Sequence, residues 1–296
     1  MSQPAPAPIA SPLVSIVLPV YNGARYLPES LASVVAQTYP QWELICVDDT
    51  STDATPDILA QWAAREPRIR VIRHATNKRL PGALNTGFAA ARGELLTWTS
   101  DDNHYRPRAL ERLVARFQEE PALDFIYSDY ALMDADGRIT GQVTPPAPEG
   151  LIFAKEGLPS FLYRRGVYEH VGDYATDLFL AEDYDYWLRT LGSGCHMRPL
   201  HESLYEYRRH AQSLTDTRRD GAFAAAEQAL LRNMPALTRR YPHLRGPIYL
   251  QLASFRSWRG QRGKAAYYAL LGARYDPGAL ATKTRAYVTR RLGAKA

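Results

Sequence analysis

Cysteine is scarce in this chain. Cys46 and Cys195 are the two present, far apart and without a Cys-x-x-Cys spacing, which excludes a disulfide-stapled scaffold and a zinc ribbon. Such usage fits a reducing compartment, with both thiols expected inside buried strands. Long apolar runs are missing too. The best stretches, Val14–Val20 and Leu95–Trp98, are strand-length, against the roughly 18 residues that a membrane-crossing helix requires. Glycine-rich phosphate loops are absent: no Gly-x-Gly-x-x-Gly follows the first apolar run and no Gly-x-x-x-x-Gly-Lys-Ser/Thr occurs. That argues against a nicotinamide dehydrogenase and a P-loop nucleotidase. His104, His170, His196 and His201 lack any His-x-x-x-His or Glu-x-x-His spacing, so zinc is not expected. Residues 1–12 alternate Pro and Ala without a charged segment leading into an apolar one. They read as a floppy leader, not a signal peptide.

What the chain does have is an ordinary globular composition, 46% hydrophobic and 23% charged, with its charge divided unevenly. From Gly221 onward 14 Lys and Arg face only Glu227 and Asp276, leaving 22 basic against 29 acidic residues before that point. The basic tail is a candidate surface for phosphates, for an anionic membrane or for a second copy of the chain. Solvated helix faces explain it equally well. Nucleic acid is not expected as a partner. The expected location is cytoplasmic, with the inner membrane face as the place where such a tail would dock.

The first 130 residues alternate strand and helix patterns. Apolar runs at 14–20, 42–49, 69–74, 94–99 and 124–134 read as strands, and residues 28–37, 53–65, 84–92 and 107–119 as helices. Single helices between strands predict a parallel sheet with right-handed crossovers, whose ligands bind beyond the carboxyl ends. Asp136–Gly137 predicts a hairpin turn. Residues 141–160 read as a loop, 182–191 as a helix, 195–200 as a strand, and everything beyond Ala222 as helical, with a two-helix hairpin about Gly260. The expected organisation is a leader (1–12), an α/β domain (13–220) and a basic helical region (221–296).

Four segments carry candidate chemistry. Pro19-Val20-Tyr21-Asn22 closes the first strand, placing an aromatic face where a ligand can approach; a plain βα turn is the alternative. Asp48 and Asp49 close the second strand, where one carboxylate is suited to accept a hydrogen bond from a base ring. Asp101 and Asp102, in Thr-Ser-Asp-Asp-Asn at 99–103, repel each other unless a cation or hydrogen-bond donors balance them. A hard divalent ion suits one or two carboxylates completed by phosphate oxygens. Ala-Glu-Asp-Tyr-Asp-Tyr-Trp-Leu-Arg at 181–189 places Asp183 and Trp187 on one helix face, a carboxylate beside an aromatic ring and suited to deprotonate a sugar hydroxyl. Amphipathic surface packing accounts for that helix as readily.

Taken in order, PVYN, the paired Asp, NKRLPGALNTGFAAARGE (77–94), SDDN and AEDYDYWLR resemble the family 2 inverting glycosyltransferases over roughly residues 13–215. The resemblance implies the GT-A fold, a Rossmann-like α/β architecture with a mostly parallel sheet flanked by helices, followed here by an all-helical extension. It implies a nucleotide-sugar donor, uridine diphosphate favoured, and a glycan, lipid-linked or protein-linked acceptor in envelope polysaccharide or glycoconjugate synthesis. Tyr21 and Asp49 then match nucleobase positions, with Pro19 shaping the pocket. Lys78 and Arg79 match the segment reaching the base or diphosphate. Asp102 matches the ligand of Mn²⁺ or Mg²⁺, and Asp183 the general base, with Glu182 and Trp187 on the acceptor side. Arg208, Arg209 and His210 match a late basic loop over the diphosphate. Ser100 departs from the family's Asp-x-Asp pattern, leaving Asp101 to take the ribose contact and implying weak, donor-dependent metal binding. A catalytically idle nucleotide-sugar binder and a nucleotidyltransferase stay open as rivals. Ser100 favours the former; the absence of a glycine-rich loop in 22–30 weakens the latter.

Overall fold

The computed structural model describes residues 11–154, 157–211, 213 and 219–278. Residues 1–10 of the expected leader and the chain beyond 278 lie outside the described residues.

Strand β1 (Val14–Val20) is buried from end to end. The reason is its position: β2 (Trp42–Asp48) and β4 (Leu95–Trp98) flank it in parallel, and helices cover both faces. A strand with no solvent face needs no polar alternation. Beyond β2 lies β3 (Ile69–Arg73), also parallel and at the edge. The crossovers are α1 (Leu27–Val35), α2 (Thr55–Arg65) and α3 (Arg79–Ala90). Pro occupies the first turn of both α1 and α2, where its missing N–H costs nothing. Asp53 accepts the Thr55 amide at the start of α2, as its position ahead of the helix predicts.

On the other side of β4 the sheet turns mixed. In spatial order come β8 (Phe161–Arg164), β6 (Phe125–Met133), β9 (Met197–Arg208) and β5 (His104–Tyr105), with β7 (Ile139–Val143) paired to β6. Neighbours β4/β8, β8/β6 and β9/β5 are antiparallel, while β6/β9 is parallel with register shifts around Asp129. Helix α4 (Ala109–Glu119) joins α1 and α2 over one face, where Leu27, Leu31, Leu59, Leu110 and Leu113 are buried. The other face carries α3, α5 (Arg165–Val171) and α6 (Glu182–Ser193), with an aromatic wall of Phe125, Phe161, Tyr163, Tyr174, Tyr186 and Trp187.

The helical end consists of α7 (Arg219–Arg240), α8 (Arg245–Trp258) and α9 (Arg262–Tyr275). It is fastened to the α/β part. Asn233 of α7 donates to Asp185 of α6 at 2.8 Å, and Leu230, Leu237, Ile248 and Leu252 extend the core beneath α6.

Several sequence expectations are corrected. Residues 197–200 of the expected strand and 204–208 belong to one strand, β9, since parallel pairing with β6 runs from Met197 to Arg208 through the register shifts around Asp129. The 141–160 loop contains part of β7 and a 3₁₀ turn at Pro148–Phe153. Helix α3 begins at Arg79, not 84. Cys46 is buried in β2, but Cys195 precedes β9 and is only half-buried, with Ser193 beside its sulfur at 3.1 Å.

Candidate active site

The carboxyl ends of β1, β2 and β4 form one edge of the sheet, and the four sequence segments gather along it. The first turn after β1 is tightly fixed. Asn22 has a left-handed backbone (φ 54°), its amide donates to Ser51 Oγ, and its side-chain oxygen accepts the Thr52 amide. Gly23 donates to Thr55 Oγ1. This geometry leaves Tyr21 55% exposed at the rim, while Pro19 is buried in register with Val47.

Asp48 and Asp49 diverge. Asp48 accepts the Ser51 amide and faces Arg73 at 3.3 Å, which fastens the loop itself. Asp49 is buried, and its Oδ1 receives the Lys78 amide at 2.8 Å and meets His74 Nδ1 at 2.7 Å. His74 Nε2 in turn reaches Thr86 Oγ1 of α3 at 2.9 Å. His74 was not singled out from the sequence. The register pairing Asp48 with Arg73 is what sets it beside Asp49. Asn77 closes the corner by donating to the Asp49 carbonyl.

After β4 the chain turns sharply, held by Ser30 Oγ donating to the Ser100 carbonyl. Asp101 presses on Gly23 so closely that any Cβ there would lie 1.8 Å from its Oδ2; only glycine permits the approach. Burial, then Asp102, then Asp53 push the Asp101 carboxyl up to about 8. Asp102 Oδ2 faces His210 Nε2 at 3.0 Å, and the His210 ring packs on Tyr26. The donors fit a hard divalent cation in part. Asp102 and His210 offer an oxygen and a nitrogen, and the buried acid beside them is short of positive charge. Among the described residues no group of three His, Cys, Asp or Glu could complete a protein-only site, so phosphate oxygens would have to fill the shell.

Asp183 lies at the start of α6. Its Oδ1 accepts the Tyr184 amide, and its Oδ2 would stand 3.6 Å from a Cβ on Gly157. Gly157 precedes β8, which runs antiparallel to β4 with Leu96 opposite Tyr163. Asp183 therefore sits beyond the same sheet edge as Asp102. A second link runs through α3: Asn85 exchanges hydrogen bonds with the Tyr174 backbone at 2.9 and 2.8 Å. Tyr174 stacks on Tyr186 of α6 with ring centres 4.2 Å apart, and burial first, then Tyr186 and to a lesser degree Asp183, hold its hydroxyl neutral. Burial raises the Asp183 carboxyl above the ordinary range, and burial plus Asp183 lift Glu182 to about 8.

The sequence profile described as "Glycosyl transferase family 2" matches residues 15–177. The chain belongs to that family. It is 34% identical over 206 residues to the Bacillus subtilis (strain 168) protein named "Putative glycosyltransferase EpsE", covering 67% of this chain and 74% of that one. It is 31% identical over 201 residues to "Putative teichuronic acid biosynthesis glycosyltransferase TuaG" of the same organism, covering 67% and 79%. Among solved structures it is similar to the mannosyltransferase PcManGT from Pyrobaculum calidifontis, in complex with GDP-Man and Mn²⁺. There the TM-score is 0.65 at 20% identity, over 96% of this chain and 82% of that one. The chain has the fold of a GT-A glycosyltransferase, and the enzyme class follows from the family.

Three residues expected at the site do other work. Trp187 is buried in the aromatic wall, 4.7 Å from the Phe161 ring centre and 5.2 Å from that of Phe125, and offers nothing to an acceptor. Glu182 is buried with Oε2 accepting the Leu180 amide at 2.7 Å, beside a left-handed Leu180. Arg208, at the end of β9, is fully buried. Its guanidinium donates to Glu29 at 2.6 Å and to the carbonyls of Asp102 and Ala135 and lies over Tyr26. It braces the acidic turn from behind, which is a different task from closing over a diphosphate. The Arg208 amide donates to Asn103 Oδ1, a contact unforeseen in the sequence. Arg79 lies over Phe179 with a left-handed backbone, and Arg209 is exposed.

Proposed function

We propose that this family 2 enzyme transfers a sugar from a nucleoside diphosphate, uridine diphosphate favoured, to an acceptor hydroxyl with inversion at the anomeric carbon. Assembly of a surface polysaccharide is the setting that relatives such as TuaG support. The observation that carries this reading is the gathering of Asp49, Asp102 and Asp183 at one edge of the sheet, despite their separation in sequence.

In this reading Tyr21 stacks on the base and Asp49, held by His74, accepts its ring N–H, with Lys78 and Arg79 flanking the phosphates. Asp102 and His210 would hold a Mn²⁺ or Mg²⁺ ion. Such an ion neutralises charge gathering on the departing diphosphate; Mn²⁺ beside GDP-Man in PcManGT supports its use here. Arg209 adds a cation near that end of β9. Asp183 takes the proton of the acceptor hydroxyl as that oxygen attacks the sugar from the face opposite the diphosphate. The C–O bond to the acceptor forms as the bond to the diphosphate breaks, so an α-linked donor yields a β-linked product. The raised affinity of Asp183 for protons suits a general base, because a base works best when its pKa approaches the working pH.

Asp183→Asn tests the assignment. A panel of UDP- and GDP-sugars, with and without Mn²⁺, first identifies the donor by thermal shift, and nucleoside diphosphate release is then followed with acceptor present. The variant is expected to lose about 10²- to 10⁴-fold in kcat while its donor KM stays near wild type. Normal turnover by the variant would assign the base elsewhere. A wild-type chain that binds donor and releases no diphosphate with any acceptor would be an idle binder.

A further inference from the structure

The hairpin of α8 and α9 carries a surface that donor and acceptor chemistry leaves unused. Half of the large hydrophobic side chains exposed among the described residues fall between 258 and 275: Trp258 (67%), Tyr267 (60%), Leu270 (72%) and Tyr275. Helix α9 turns Tyr268 and Gly272 inward, Tyr268 stacking on Tyr249 and Gly272 packing on Leu250. The opposite side presents Gly263, Ala266, Tyr267, Leu270 and Arg274, at the three- and four-residue spacing of one helix face. Trp258 stands where the hairpin turns, edge-on to Phe223 at 4.9 Å and otherwise open.

Charge accompanies this apolar face. Residues 245–275 contain six Lys and Arg and no acid. Arg256 and Arg259 are engaged by the buried Glu227, and Arg245 lies over Tyr275. Arg262, Lys264 and Arg274 are exposed around the apolar residues. Tyr and Trp beside Lys and Arg, with Leu between them, is the composition of a helix lying in the headgroup layer. There the rings bridge water and acyl chain while the cations meet lipid phosphates. A second copy of the chain would bring the same acid-free cluster against itself, which costs Coulomb energy. A polyanion alone gives the protruding Leu270 nothing to bury against.

We propose that the outer face of α9, with Trp258 at the turn, docks this enzyme on an anionic membrane surface without crossing it. No helix among the described residues is long and apolar enough to span a bilayer. Because α7 joins this hairpin to α6, the helix that begins near Asp183, docking would hold the sheet edge at a set distance from the lipid.

The test is co-sedimentation of the full chain with vesicles of phosphatidylcholine alone and of phosphatidylcholine mixed with phosphatidylglycerol. The expected result is salt-sensitive binding to the mixed vesicles and little to the neutral ones. Tyr267→Ser with Leu270→Ser, both at exposed positions, is expected to weaken binding by more than about tenfold at unchanged melting temperature. Arg262→Glu with Lys264→Glu and Arg274→Glu should abolish it. Equal binding to neutral vesicles, or binding indifferent to Tyr267→Ser/Leu270→Ser, would overturn the proposal. So would self-association in sedimentation equilibrium that those two substitutions remove.

Discussion

Asp49 takes two hydrogen bonds on one oxygen, and His74 supplies the one that comes from a side chain. Without it the carboxylate keeps the Lys78 amide but loses the contact that fixes its rotation toward α3. Replacing His74 by Leu is expected to raise the donor KM by about tenfold, the worth of one hydrogen bond to a charged group, with kcat little changed. His74→Gln, which still donates, should recover most of the loss. Comparing KM and kcat for the two variants checks this. Glu182 offers a second measurement. Its carboxyl, at about 8 in the fold against 4.5 when free, keeps a proton that the unfolded chain has already released. Native stability therefore falls as pH rises from about 4.5 to 8 and levels off above. Glu182→Gln removes that slope while still accepting the Leu180 amide. The melting-temperature advantage of the variant over wild type should grow between pH 5 and pH 8. At this scale the acidic positions were legible because strand ends announce themselves. The duties of Arg208 and Trp187 were not. A buried arginine and a surface one read alike in sequence, and only the strands stacked around Arg208 decide which it is.

At the scale of elements, the strands rich in apolar residues and flanked by clear helices were the readable ones. β1, β2 and β4 are predominantly apolar runs, and their helices follow from cap and period. β5 and β8 escaped notice because they hold two and four residues, too few for periodicity, and owe their existence to partners about a hundred residues away in the case of β5. Helix α3 shows how close the packing is. Its Gly87 sits on β1 where an added Cβ would lie 2.3 Å from Val17 Cγ1. Gly87→Ala gains about 1 kcal/mol of helix propensity and must force α3 off the strand, an overpacking cost of about 1–3 kcal/mol. Since α3 starts next to Lys78 and carries Asn85 at its middle, the displacement should reach both halves of the site. Urea unfolding is expected to show a loss of about 1 kcal/mol, with a higher donor KM.

Across the whole molecule, the basic helical end and the α/β part share one core. Glu227 of α7, nearly fully buried, holds Arg256 of α8 and Arg259 just beyond its end. Removing one partner of a buried pair leaves the others uncompensated. Glu227→Ala should cost about 3 kcal/mol and open the region after α7 to limited proteolysis ahead of the α/β part. Asn233 and the leucines of α7 likewise complete the packing of α6.

The placement of β9 also governs when the acidic turn after β4 is completed. This strand enters the sheet between β6 and β5, bringing Arg208 behind the acidic turn and His210 up to Asp102, contacts that span more than a hundred residues. During translation, the paired acids of the turn emerge long before the arginine and histidine that brace them. A growing chain therefore passes through a stage in which the acidic turn stands without the side chains that hold it in the finished fold.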